Sequence, residues 1–210
     1  MKLRSDLDPG YIAALGRLFK RIEGLLADVP REHLPLRLYV AGGAAALFHA
    51  GVRASRDVDA VLSLRVHLPA LEEAYTDRNG DVASVYLDPT YNDTLGPSHE
   101  DALADAEHLE MPGVDASTLD VRVMAPVDLA ISKLGRFNDH DRDDIRALAS
   151  AGLLAADELQ KRAEQALDYY VGHPAAPRAN LREALAIVKR HSSSGRRPRG
   201  AGRKRSKKGG

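Results

Sequence analysis

Arg37-Leu-Tyr-Val-Ala-Gly-Gly43, followed thirteen residues later by Asp57-Val-Asp-Ala-Val-Leu62, decides the fold of this chain. The first run reads as a strand over 37–41, the paired glycines as a tight turn opening a short helix over 44–50, and the second run as another strand. Successive strand side chains point to opposite faces, so Asp57, Asp59 and Val61 share one side and Val58, Ala60 and Leu62 the other. Two carboxylates therefore point the same way. Hard divalent cations such as Mg2+ take carboxylate oxygens and share their remaining positions with phosphate oxygens and water. Glycine lacks a Cβ, so backbone N–H groups at Gly42 and Gly43 can approach a phosphate, and the helix behind them adds the positive end of its dipole.

The rest of the composition narrows the class. A chain of 210 residues, 44% hydrophobic, is long enough for one substantial core. The opening Met1-Lys-Leu-Arg-Ser-Asp-Leu-Asp-Pro9 has no continuous apolar stretch, and no apolar run approaches the roughly eighteen residues of a spanning helix. A cytoplasmic protein with no membrane partner is expected. There is no cysteine, which excludes disulfides and thiolate zinc sites, and the eight histidines are scattered without the i, i+4 pairing of a helical zinc site. The formal net charge of zero hides a division: from His191 onward there are eight Lys or Arg and no acid, leaving 22 bases against 30 acids before it. The body is acidic and the tail basic.

Further along the chain, Pro9 starts a helix whose apolar face, Tyr11, Ile12, Leu15, Leu18, Phe19, Ile22, Leu25 and Leu26, lasts until Pro30. After the glycine unit the pattern predicts a short helix over 69–75, a break at Asn79-Gly80, and a strand over 83–87. A loop rich in turn formers, 88–97, is expected to edge the site, followed by a short helical stretch over 98–103. A hairpin is expected next, 106–111 with 118–124, with Leu119, Val121 and Val123 facing the core and Asp120 and Arg122 facing away. Helices are expected over 126–137, 141–151, 157–171 and 180–191, and a low-complexity, disordered tail over 192–210. The organisation is thus an α+β core with its N-terminal helix (1–125), a helical region completing the site (126–191), and the basic tail.

Two quoted stretches resemble a known family. Tyr39-Val-Ala-Gly-Gly-Ala-Ala-Ala-Leu-Phe48 with Arg53-Ala-Ser-Arg-Asp-Val-Asp59 resembles the opening motif of the polymerase-beta-like nucleotidyltransferase superfamily, in the branch that includes the abortive-infection type E and mycobacterial nucleotidyltransferase toxins. Ala125-Pro-Val-Asp-Leu-Ala-Ile-Ser-Lys-Leu-Gly-Arg136, followed by Asp141-Arg-Asp-Asp-Ile-Arg-Ala-Leu148, resembles that branch's second signature. The resemblance covers about residues 36–150 and implies the nucleotidyltransferase fold, a mixed sheet with flanking helices.

It also implies roles. Asp57 and Asp59 would hold one or two Mg2+ ions that escort a nucleoside triphosphate, with Asp120 as a third metal carboxylate or as base for the acceptor hydroxyl. Lys133 and Arg136 would meet the triphosphate, and Asp141 and Asp144, on one helical face, would orient Lys133. Gly42, Gly43 and Ser55 would contact phosphate, and Arg53 would anchor the loop. The implied reaction moves a nucleoside monophosphate to a hydroxyl of RNA, such as a tRNA 3′ end, in a toxin with a cognate antitoxin protein. Small-molecule or protein acceptors fit the same chemistry. A non-catalytic nucleotide or nucleic-acid binding module, or a structural domain using its tail for contacts, would keep the fold without needing Asp57, Asp59 and Lys133 together. Taken singly, Asp-x-Asp and Gly-Gly are common in solvated edges and turns, acids at a helix start suit its dipole, and Asp120 would pair with Arg122 in any exposed strand. The tail would attract phosphate backbones, or simply be a solvated charge run.

Overall fold

A computed structural model of the chain describes residues 1–87 and 96–192. Most of the expected loop at 88–97 and all but the first residue of the expected tail lie outside the described residues. Six α-helices and seven strands form an α+β fold among the described residues, with two mixed sheets and flanking helices. This is the fold class that the sequence predicts.

The first helix, α1 (Pro9–Leu25), begins where Asp8 accepts the Gly10 and Tyr11 N–H groups and Pro9 occupies the first turn. Tyr11, Leu15, Leu18, Phe19 and Ile22 are fully buried. Each contributes roughly 1.5–3 kcal/mol on burial, against about 1 kcal/mol for the cap, so packing holds this helix.

Strands β1 (Leu36–Val40), β3 (Ala60–Leu62), β6 (Glu107–His108) and β7 (Leu119–Val123) make a sheet in the order β3-β1-β7-β6. Within it β1 runs parallel to β7 and antiparallel to β3. A second sheet, ordered β2-β5-β4, contains β2 (Asp57–Val58), β5 (Val82–Leu87) and β4 (Leu71–Thr76). The single strand expected over 57–62 therefore changes sheets at Asp59. Its first half pairs with β5 and its second half with β1.

Residues 71–76 form β4, where a helix over 69–75 is expected. Leu71, Glu73 and Tyr75 turn inward at alternate positions, and β4 closes a hairpin with β5 through Asn79-Gly80. Glu73 is held by Arg17 at 3.0 Å and Arg21 at 2.9 Å, both from α1. Pairing with β5 and this anchorage override the helical propensity of Leu, Glu and Ala. The stretch 98–103 likewise forms turns instead of the expected helix, with the His99 ring accepting the Asp101 N–H.

α2 (Gly42–Ala50) starts at the glycines themselves. α3 (Pro126–Ser132) ends five residues early, the chain reversing at Phe137 with φ of 52°. α4 (Asp139–Ser150) then begins under a capping box in which Asn138 and Asp141 satisfy each other's backbone N–H. α5 (Ala156–Asp168) and α6 (Ala175–Ser192) complete the helical half; Pro177 falls in the first turn of α6, where its missing N–H leaves no bond unmade. Buried side chains of both sheets and all six helices join in one hydrophobic core. No helix among the described residues is long and apolar enough to cross a membrane.

Candidate active site

The glycine turn is shaped by the acids beside it. The Ala41 N–H donates to the Asp59 carbonyl at 2.8 Å, tying the end of β1 to the point where the carboxylate strand changes sheets. Gly42 has φ of +58°, and a Cβ there would lie 1.8 Å from Asp59 Oδ2. At Gly43 a Cβ would stand 2.8 Å from Ser55 Oγ. Both glycines thus let the N-terminus of α2 sit directly against the acidic edge.

Asp57 is oriented from behind. The buried Ser55 hydroxyl donates to Asp57 Oδ1 at 2.7 Å, and the Ser55 carbonyl accepts the Tyr11 hydroxyl at 2.8 Å. Ser55 thereby acts on Asp57, a contact in addition to the phosphate contact expected of it. Burial, with the nearby Tyr75 and Asp57, pushes the Tyr11 hydroxyl pKa well up, so it remains a donor. Tyr11 was visible in the sequence only as one more residue on the apolar face of α1. Nothing local marked it as a support of the site.

The second half of the chain supplies the cations. Lys133, at the C-cap of α3, is buried, and its ammonium lies 2.6 Å from Asp144 Oδ2 and 3.4 Å from Asp141 Oδ1. Arg136 grips the same Asp141 with two bonds of 3.0 Å. Burial alone would push the Asp141 carboxyl up, but the bonds from Arg136, the charge of Lys133 and the Asn138 N–H hold it below the usual carboxylate range. Asp141 and Asp144 thus both contact the ammonium that they are expected to orient. Arg136 itself is 71% exposed, and its pKa is raised by the bond to Asp141, with smaller contributions from Asp59 and Asp57. Asp128, buried under α3, holds that helix to α5 through two bonds from Arg162 at 2.7 and 2.9 Å.

These segments meet around two hollows. One, of about 610 Å³, is lined by Gly43, Arg53, Ser55, Asp57, Asp59, Lys133, Arg136 and Asp144, among others. The other, of about 470 Å³, shares Asp57, Asp59, Lys133, Arg136 and Asp141 and also reaches Gly42. Asp57, Asp59, Lys133, Asp144, Arg53, Ser55, Arg136 and both glycines are thus gathered in one region.

Asp120 is not among them. It lies on β7 opposite Arg37, four residues before Met124, which follows β7 and lines the smaller hollow. At the rise of an extended strand that separation is about 13 Å. Its oxygens are taken by His108 at 2.6 Å and Arg122 at 2.7 Å, which outweigh the effect of burial and keep its pKa low. The place on this sheet level with Asp59 is held by a methionine.

No group of three or more His, Asp or Glu side chains able to hold a metal occurs among the described residues. The pair Asp57 and Asp59 nevertheless fits Mg2+, which characteristically binds through one or two carboxylates together with substrate phosphates and water rather than in an all-protein cage.

No curated protein and no solved structure matches the chain. The model of a family described as "Nucleotidyltransferase of unknown function (DUF6036)" matches residues 13–184, a span that contains both the glycine and carboxylate unit and the Lys133 helix pair. The chain belongs to this family of nucleotidyltransferases of unknown function.

Proposed function

We propose that the protein transfers a nucleoside monophosphate from a nucleoside triphosphate to a hydroxyl at an RNA end, such as a tRNA 3′ end, and serves as the toxin of a toxin and antitoxin pair. The observation that carries the transfer chemistry is the shared lining: two carboxylates from the sheet junction and two cations from the α3 to α4 turn border the same space. The RNA acceptor and the toxin role rest on the resemblance of both signatures to the toxin branch and on the basic tail.

Asp57 and Asp59 would hold Mg2+, which when bound neutralises phosphate charge and aligns the reacting oxygens. The chain's own residues act around that pair. Ser55 fixes the rotamer of Asp57, so the carboxylate needs no reorganisation when substrate arrives. Lys133 has two of its three N–H bonds directed to Asp141 and Asp144, leaving a donor for a phosphate oxygen. Arg136, anchored on one edge by Asp141, presents the rest of its guanidinium to the hollow.

Incubating the full chain with Mg2+, each α-labelled triphosphate and total RNA tests the reading. Asp57→Asn should lower label transfer at least ~100-fold with an unchanged circular dichroism spectrum, since the metal loses a charged ligand. Transfer at the wild-type rate would refute it.

A further inference from the structure

The strand that carries both carboxylates belongs to two sheets, and each sheet faces its own hollow. On the β2 side the walls are polar and charged: Arg53, Arg56, Arg136, Lys133 and His140 line it together with Asp57, Asp59, Asp141 and Asp144. On the β3 side the walls are largely apolar: Tyr39, Val61, Leu103 and Met124 line it, with Ser98, His99 and Glu100 at one edge. Among the described residues the two spaces share Asp57, Asp59, Lys133, Arg136 and Asp141.

That division matches the two ends of an in-line displacement. The acceptor oxygen forms a bond to the α-phosphorus while the bond from that phosphorus to the bridging oxygen breaks; pyrophosphate leaves on the opposite side with that bonding pair, and the hydroxyl proton passes to bulk water. A polyanionic leaving group belongs in the hollow that holds Arg53 and Arg56 as well as Lys133 and Arg136. We infer that the apolar hollow between β1, β3 and the 96–103 strap is the acceptor subsite, and that it takes a ribonucleoside with a free hydroxyl. The inference rests on the nucleotidyl-transfer reading above.

Size and wall chemistry select the ligand. About 470 Å³ accommodates one nucleoside, and aromatic and aliphatic walls suit the face of a base. Beyond Lys133 and Arg136, at the boundary with the other hollow, the described lining of this side carries no Lys or Arg to meet a second phosphate of the acceptor, so the polymer leaves the pocket after its terminal nucleoside. The strap that closes the pocket is seated by glycine: a Cβ at Gly96 would stand 2.2 Å from the Ser132 carbonyl, next to Lys133. The basic tail supplies the attraction for a polynucleotide that the pocket itself does not.

Leu103 is the wall residue best suited to a test, because it is 38% exposed and its own side chain carries no charge. Leu103→Trp should fill the pocket and raise the KM for acceptor at least ~10-fold, while the affinity for a fluorescent triphosphate, measured by anisotropy without turnover, stays unchanged. The acceptor arms are a short oligoribonucleotide with a free 3′ hydroxyl, the same oligonucleotide with a periodate-cleaved terminus, and a free nucleoside. Labelling of the first but not the second assigns the pocket to a 3′-terminal nucleoside, and labelling of the free nucleoside assigns it to the monomer. Equal loss of triphosphate affinity in Leu103→Trp would give the pocket to the incoming base, and label found on protein would give it to a side-chain hydroxyl; either overturns the proposal. Leu103→Ala, which removes bulk without strain, should leave triphosphate affinity unchanged and alter only acceptor KM; wild-type acceptor KM in both variants also overturns it. A wild-type protein that transfers no label to any acceptor instead sinks the nucleotidyl-transfer reading itself.

Discussion

Gly42 shows how much one missing methyl group decides. Its positive φ alone would cost a non-glycine residue about 1–2 kcal/mol, and its Cβ would also collide with the Asp59 carboxylate. Gly80 has a positive φ as well, at +88°, but open space where its Cβ would go. Gly80→Ala should therefore lose about 1–2 kcal/mol of stability in urea, Gly42→Ala should lose more because Asp59 must also move, and only Gly42→Ala should lose nucleotide transfer, by at least ~100-fold. Equal activity in the two variants would separate the glycine from the carboxylate. The Gly-Gly pair and the Asp-x-Asp spacing were legible in the sequence. That each glycine makes room for a particular side chain, Asp59 and Ser55, was not, because such a contact is defined only when two segments thirteen residues apart are brought together.

Among elements, the α3 to α4 connection carries the charge balance of the site. Early termination of α3 places Lys133 at a helix end, where it reaches down to two acids on α4. Removing the ammonium leaves Asp141 facing only Arg136 and leaves Asp144 buried without a cation. Lys133→Ala should cost about 3–5 kcal/mol of stability, as expected for breaking a buried pair, and abolish triphosphate binding. Lys133→Ala combined with Asp144→Asn should recover much of the stability but none of the binding. A denaturation midpoint unchanged in Lys133→Ala would show the cluster to be solvated. Caps and periodicity announced the helices of this half, but the early stop of α3 depends on the reversal at Phe137, and the hairpin partner of β4 depends on Arg17 and Arg21. Those are contacts between distant parts of the chain, which outweigh local propensities of a few tenths of a kcal/mol per residue.

For the whole molecule, charge is divided between an acidic body and a basic end. α6 runs to Ser192, so removing residues 193–210 leaves every described element intact. The truncated protein should bind single-stranded RNA more weakly, with the slope of log affinity against log salt reduced by up to about 6, near 0.7 for each of the eight cations lost. Identical salt curves would make the tail idle. The sequence by itself determined the α+β class, the order of its principal motifs, the spacing of the paired glycines and of Asp57 and Asp59, and this charge division, because those follow from residue type, spacing and strand or helix period. Tertiary structure alone decided that the carboxylate strand serves two sheets, that Asp120 pairs with His108 and Arg122 away from the site, and that Tyr11 supports Asp57 through Ser55. Each of these depends on register and on which faces pack together, and burial in a shared core fixes both only when the whole chain has folded.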